Sequence, residues 1–325
     1  MILWLSDNFE LVKKLPNYLV PKFFYYVVMT LYCAARDRAV SQMTPFIQSG
    51  DSFIKSLALG SVQMIGKVNS TGLHAKEKLA GMAAGLPHFS THHMRCWGRD
   101  VFISLRGLLL ITGRFKDAKD HILSFVSVLK HGLIPNLLDS GRKPRYNARD
   151  AVWWCLQAIK DYCEMAPEGL DLMSETVKLR FPSDDFVEPD DALAYSKTIT
   201  VADFIQNVLE RHAAGIRFRE WNAGSNLDHV MRDAGFEVEI GTDWNTGFVY
   251  GGNMYNCGTW MDKMGESAVA NTCGNPATPR DGSAVEIVGL SKSIIGWVAN
   301  LNAQGIFKHE GVEKSDGKYT IVILY

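Results

Sequence analysis

Four stretches of the chain gather carboxylates, amides, cations and indoles closely enough to do chemistry together. The first is LPHFSTHHMRCWGRD, from Leu86 to Asp100. His88, His92, His93 and Cys96 are metal-ligand types, but their spacing fits no closed zinc pattern and no metal is expected. Trp97, Arg99 and Asp100 offer something different: a flat apolar face beside donors and acceptors for a hydroxyl-rich ring. The plainer alternative has Asp100 capping the next helix and Arg99 paired nearby. The second stretch, PRYNARDAVWW, brings Tyr146, Asn147 and Asp150 to the start of a helix that carries Trp153 and Trp154. Its plain reading makes both tryptophans core and Asp150 a helix-terminal charge.

The third stretch is the richest. After Glu220 and Trp221 it runs GTDWNTGFVYGGNMYNCGTWMDKMG, with Asp243, Trp244, Asn245, Tyr250, Asn253, Tyr255, Asn256, Trp260 and Asp262. Its glycine pair lacks the GxGxxG order and a preceding strand, so a phosphate cradle is not expected. The fourth, TPRDGSAVE, offers Arg280 and Glu286, although Ser283 and Glu286 could equally form a capping box. No GxSxG elbow is present. Indoles that cover a ring face, amides that read its hydroxyl rim and paired carboxylates are the needs of glycoside hydrolysis. One carboxylic acid protonates the leaving oxygen while a second carboxylate activates water.

These loops need elements to hold them. The chain has 325 residues, 47 % of them hydrophobic, enough for a sizeable core in one large domain or two modest ones. Intrinsic disorder is excluded, and 34 basic against 35 acidic residues argue against a nucleic-acid binder. Six cysteines without a CxxC pair read as reduced thiols, most of them buried. The N-terminus lacks a secretory pattern, and Phe23–Ala35 is too short to span a bilayer, so it is expected as a buried helix. Helical periodicity dominates. It predicts helices after Asp51 and Ser52, over Asp100–Thr112, over Lys116–Lys130 with a stop at Gly132, and over Arg149–Met165. Further helices are expected over Leu170–Leu179, Thr200–Ala213 and Ser283–Leu301, with short strands at Phe236–Ile240 and Tyr319–Ile323. Long polar loops at 85–99, 132–147 and 220–280 then gather at one end.

With these residues in view, a resemblance is specific. HFSTHHMRCWGRD, PRYNARDAVWW, FREWNAGSNLDHVMRD, GTDWNTGFVYGGNMYNCGTWMDKMGES and TPRDGSAVEIVGLSKS, in order across about residues 45–310, resemble the glucosidase half of the eukaryotic glycogen debranching enzymes. That half is similar to glucoamylase, so the resemblance implies an all-α fold, a partial (α/α)6 toroid of inner and outer helices. It implies hydrolysis of single α-1,6-linked glucose stubs with inversion, no cofactor, glycogen or limit dextrin as partner, and a cytoplasmic setting without membrane or nucleic acid. Asp262, in the TWMD motif, corresponds to the general acid, its neutral form favoured by desolvation among Trp260, Met261 and Met264. Trp97, Arg99 and Asp100 correspond to contacts with the non-reducing glucose; Tyr146, Asn147, Asp150, Trp260, Arg280 and Glu286 fall in other site-facing motifs. The family's general base lies in a motif well beyond TWMD. Residues 1–312 are therefore expected to be the first part of the glucosidase domain, 313–325 a divergent tail, and the base to lie beyond the end of this chain. The alternative is a catalytically silent fragment or glycan-binding remnant; another toroidal glycosidase, such as a trehalase, is a third reading.

Overall fold

The computed structural model describes residues 2–83, 96–315 and 320–324. His88, His92 and His93 lie outside them.

The centre of the molecule is a helix that the sequence marks clearly. Residues Ala151–Met165 carry apolar side chains nearly all round, and Val152, Trp153, Cys155, Leu156, Ile159 and Tyr162 are buried. A helix apolar on most sides must be enclosed by neighbours. Gly98–Leu105, Phe115–Val126 and Val285–Ala303 do the enclosing. Numbered in chain order, the helices are α1 Ile2–Val12, α2 Val20–Ser41, α3 Pro45–Ser49 and α4 Ser52–Gly60. The central group follows as α5 Gly98–Leu105, α6 Phe115–Val126 and α7 Ala151–Met165, then α8 Val201–Ala214 and α9 Val285–Ala303. Burying a Leu or Ile on α7 contributes roughly 1.5–3 kcal/mol each, so this junction is the rigid part of the molecule.

Local signals account for several ends. Asp51 caps α4 by accepting the Ile54 amide at 2.9 Å. Thr200 and Asp203 form a reciprocal capping box at the start of α8. The helix expected over Asp100–Thr112 begins earlier, at Gly98, and passes into a wider π-turn over Arg106–Leu110.

Other expectations need correction. Helix α6 ends at Val126 rather than running to Gly132, which instead supplies the positive φ of the tight turn between Lys130 and Leu133. Helix α9 begins at Val285 with Ala284 at its cap, so Ser283 and Glu286 form no capping box. The segment expected as a helix over Leu170–Leu179 is a 3-10 turn, Gly169–Ser174, followed by a strand, Thr176–Leu179. There the alternation of Val177 and Leu179 inward with Thr176 and Lys178 outward wins over helical spacing. Phe23–Ala35 does lie within a helix, α2, but not a buried one: Phe23, Phe24, Tyr25, Tyr26 and Tyr32 are exposed. Helix α2 touches α1, α3 and α4. Phe24 stacks on Phe9 of α1, but most of its aromatic residues stay exposed. Among the described residues no helix is long and apolar enough to cross a membrane.

The molecule is helix-rich, with four small antiparallel sheets among the described residues. Ile65–Gly66 (β1) pairs with Gly81–Met82 (β2), and Thr176–Leu179 (β3) with Lys197–Thr200 (β4). Ile216–Arg219 (β5), Glu237–Asp243 (β6) and Phe248–Gly251 (β7) form a three-stranded sheet. Part of the long segment 220–280 is therefore ordered by strands, and the glycine pair at 251 and 252 does follow one. Gly311–Ser315 (β8) pairs antiparallel with Thr320–Leu324 (β9), so much of the expected tail is strand; the Gly311 carbonyl accepts from Gln206 of α8 at 2.9 Å. All six cysteines are free; four are buried, Cys33 and Cys273 exposed.

Candidate active site

Trp97 and Gly98 arrive in an extended stretch beside residues 136–138, with Gly98 donating its amide to the Asn136 carbonyl at 2.6 Å and Leu138 donating to Cys96 at 3.0 Å. Any side chain at Gly98 would put its Cβ 2.4 Å from the Pro135 carbonyl oxygen and 3.0 Å from the Phe125 ring. Glycine is required here by space and not by φ. The approach delivers Arg99 into the protein at the first turn of α5, where its amide donates to Asn136 Oδ1 at 3.3 Å.

The guanidinium of Arg99 is nearly inaccessible and holds two carboxylates. Its Nε and Nη2 donate to Asp150 Oδ2 and Oδ1 at 2.6 and 2.8 Å, while Nη1 donates to Asp262 Oδ2 at 2.7 Å. Burial alone would lower the pKa of this guanidinium, but Asp150 and then Asp262 outweigh it and raise it. Asp150 has no exposed surface, whereas the Asp262 side chain is 25 % exposed. The two aspartates thus differ in kind: Asp150 is a buried anchor, and Asp262 is presented to the surface.

Backbone contacts tie the loops together. The Arg149 amide donates to the Gly258 carbonyl at 2.8 Å, joining PRYNARD to the loop that carries TWMD. The Arg149 guanidinium donates to the carbonyls of Gly282 (2.8 Å) and Arg280, fixing the TPRDG turn; burial lowers its pKa to about 10. Met261, between Trp260 and Asp262, holds φ at +65°. A bulky residue in that region is strained, and strain of this kind persists where the surroundings impose it.

Around Asp262 opens a cleft of about 520 Å³ lined by Trp97, Arg99, Asp100, Asn136, Trp260, Met261, Asp262 and Lys263. Trp97 and Trp260 are both largely exposed on it. Lys263 Nζ lies 3.4 Å from Asp262 Oδ1. The dry, apolar enclosure expected for Asp262 is not what surrounds it: two cations touch its carboxylate, and Trp260 and Met261 are open to solvent. Asp100 is the carboxylate whose pKa rises, through burial first, with the charge of Asp262 adding and Arg99 opposing.

The structure therefore brings Trp97, Arg99, Asp100, Trp260 and Asp262 to one cleft, with Asp150 directly behind. It does not bring the others. Tyr146 is buried with its hydroxyl donating to the Val128 carbonyl, so it is a packing residue there. Asn147 is half-buried and its carbonyl faces Gly258. Arg280 and Glu286 pair with each other and reach the cleft only through Arg149. Three contributors escaped the sequence reading: Asn136, Arg149 and Lys263. Arg149 and Lys263 had a signal, each standing beside a site aspartate in a site-like string; Asn136 had none.

Two indoles, a partly exposed carboxylate and a buried Arg–Asp pair thus share one cleft. Residues 51–320 match the family model described as amylo-alpha-1,6-glucosidase, and the chain belongs to that family. The match runs into the segment expected to diverge after 312. The chain is also similar to the glycogen debranching enzyme of Saccharomyces cerevisiae, 54 % identical over 315 residues. Those cover 97 % of this chain but 20 % of the yeast protein, so the chain spans about a fifth of that relative's length.

Proposed function

We propose that this chain carries the acid side of an amylo-α-1,6-glucosidase site, acting on the single α-1,6-linked glucose stubs of glycogen or limit dextrin. The observation that carries the reading is the Arg99–Asp262 contact across the cleft between Trp97 and Trp260. Arg99 occupies Asp262 Oδ2, which leaves Oδ1 as the oxygen that carries the proton to the bridging glycosidic oxygen. The Lys263 side chain is 88 % exposed and can swing from Oδ1 when substrate enters. Trp97 and Trp260 flank the sugar rings, and Asp100 and Asn136 supply polar contacts to the hydroxyls. Asp150, Arg149, Arg280 and Glu286 act as positioning residues. A second carboxylate activates water from the opposite face, giving inversion without a cofactor. By the family resemblance that base belongs to a motif beyond TWMD, outside this chain, and the helices described above form part of an (α/α)6 toroid in a cytoplasmic enzyme.

The test is glucose release from phosphorylase-limit dextrin by a debranching polypeptide that includes this chain and the base motif. Asp262→Asn is expected to lower the rate by about 10²- to 10⁴-fold. An Asp262→Asn protein that keeps the parent's rate overturns the assignment. The 325-residue chain alone is expected to bind limit dextrin with little turnover; rapid turnover by it would place the base within this chain.

A further inference from the structure

We infer that a cationic pocket between residues 67–79 and the turn at 139–142 binds a phosphate monoester carried on a sugar, independently of the cleft around Asp262. Lys67, Lys76, Lys78 and Arg142 line the pocket, and Glu77 is its one carboxylate. In a chain of net charge −1 this is a local excess, not a sample of the average. Among the described residues none of the three lysines makes an ion pair, and Arg142 has only a long one, 3.6 Å to Asp139. Three lysines without an ion pair among the described residues, beside a loosely paired arginine, give one concavity an excess of positive charge that attracts an anion.

The pocket wall is built by a close meeting of two turns. Asp139, Ser140 and Gly141 take the left-handed backbone in succession, with φ of 46°, 54° and 68°. Two of the three are not glycine, and such conformations are held only where the fold imposes them. Ser140 Oγ donates to the Asn69 carbonyl at 3.3 Å, and a Cβ at Gly72 would come within 2.7 Å of that Oγ. Beneath, Thr71 is fully buried, and its Oγ1 has no partner among the described residues.

The carrier is argued from what adjoins. The pocket is about 180 Å³, and with roughly 30 Å³ per water it holds an anion and its first waters but no polymer. It opens through His74, Lys76, Glu77 and Leu79 into a groove that reaches Lys178 and Tyr195, with Asp120 on its far wall. The His74 and Tyr195 rings lie 4.9 Å apart, and Lys76 Nζ sits 5.4 Å above the Tyr195 ring. The groove, about 610 Å³, has room for a pyranose attached to the phosphate beside these rings.

Calorimetric and ³¹P NMR titrations of the full chain with glucose 6-phosphate, inorganic phosphate and glucose test this. Glucose 6-phosphate is expected to bind saturably and more weakly at high salt, with glucose silent at this pocket. Lys67→Gln combined with Lys78→Gln, two exposed positions, is expected to weaken it at least about tenfold. An unchanged thermal midpoint for the pair shows the fold intact. Inorganic phosphate weaker than glucose 6-phosphate identifies a phosphorylated sugar as the ligand; equal affinity identifies free phosphate at the same anion site. No saturable binding of either anion, or binding indifferent to the double substitution, overturns the inference.

Discussion

Arg99 and Asp262, 163 positions apart in the chain, meet at 2.7 Å, and the edge of Arg99 that does not hold Asp262 is clasped by the fully buried Asp150. The Asp262 carboxylate is thus held by a cation that is itself held by an anion at the start of α7.

Removing the anchor should be costly. Asp150→Ala leaves a buried guanidinium with one partner, and losing one member of such a pair costs about 3–5 kcal/mol. Asp150→Asn keeps the shape and should lose less. Urea unfolding reads both; an Asp150→Ala protein as stable as the parent would contradict the anchor role.

The glycine of WGRD is equally exposed to test. Gly98→Ala drives a Cβ to 2.4 Å from the Pro135 carbonyl, so the backbone must shift. A loss of about 1–3 kcal/mol is expected, in the range of overpacked interiors. Substrate binding should fall with it, because Arg99 is the next residue.

Binding should depend on the indoles. Trp260→Ala and Trp97→Ala each remove an exposed ring from the cleft rim. At about 0.5–1.5 kcal/mol per aromatic stacking contact, each should weaken maltooligosaccharide binding by about two- to tenfold, read by intrinsic fluorescence. Parent-like affinity in both variants would remove the indoles from the site.

Acid sensitivity should come from buried histidines, His212 and His121 among them, each with a pKa lowered by burial; His212 is the one to substitute. Its ring nitrogen Nδ1 lies 2.8 Å from the Val208 carbonyl, its Nε2 is buried, and burial lowers its pKa to about 4. An unfolded histidine titrates near 6.5, so between about pH 6.5 and 4 the unfolded chain holds more protons than the folded one. The stabilisation is complete above that window and is lost as pH falls through it, about 3 kcal/mol in total. Asp203 extends the loss below: burial raises its pKa, but Lys308 and Thr200 outweigh this and hold it at about 2. Its share disappears as pH drops from about 4 towards 2. His212→Phe should flatten the upper part of the urea-midpoint profile; an unchanged slope would assign it to other groups.

The chemistry was more legible than the packing. WGRD and TWMD stand out because an indole so close to a carboxylate, with a cation between or beside them, is rare by chance, and both strings line one cleft. The TWMD match set Asp262 apart from Asp150, but that Asp150 is a buried anchor was not legible, because only the depth of α7 makes it one. Asn136 gave no signal, since it serves the site mainly by accepting from the Gly98 and Arg99 amides. For α2, periodicity shows a helix and cannot show whether anything covers its rings. At Thr176–Leu179 the alternation was present, but the Leu-rich run before it read as a helix.

The long reach between Arg99 and Asp262 also sets an order of events during synthesis. A ribosome delivers α5, α6 and α7 well before Met261 and Asp262, so Arg99 can settle on Asp150 while Asp262 is still untranslated. Helix α9, which also packs on α7, emerges later still, so a nascent chain stalled before residue 262 would carry the Arg99–Asp150 anchor without Asp262 and without the last wall of the core.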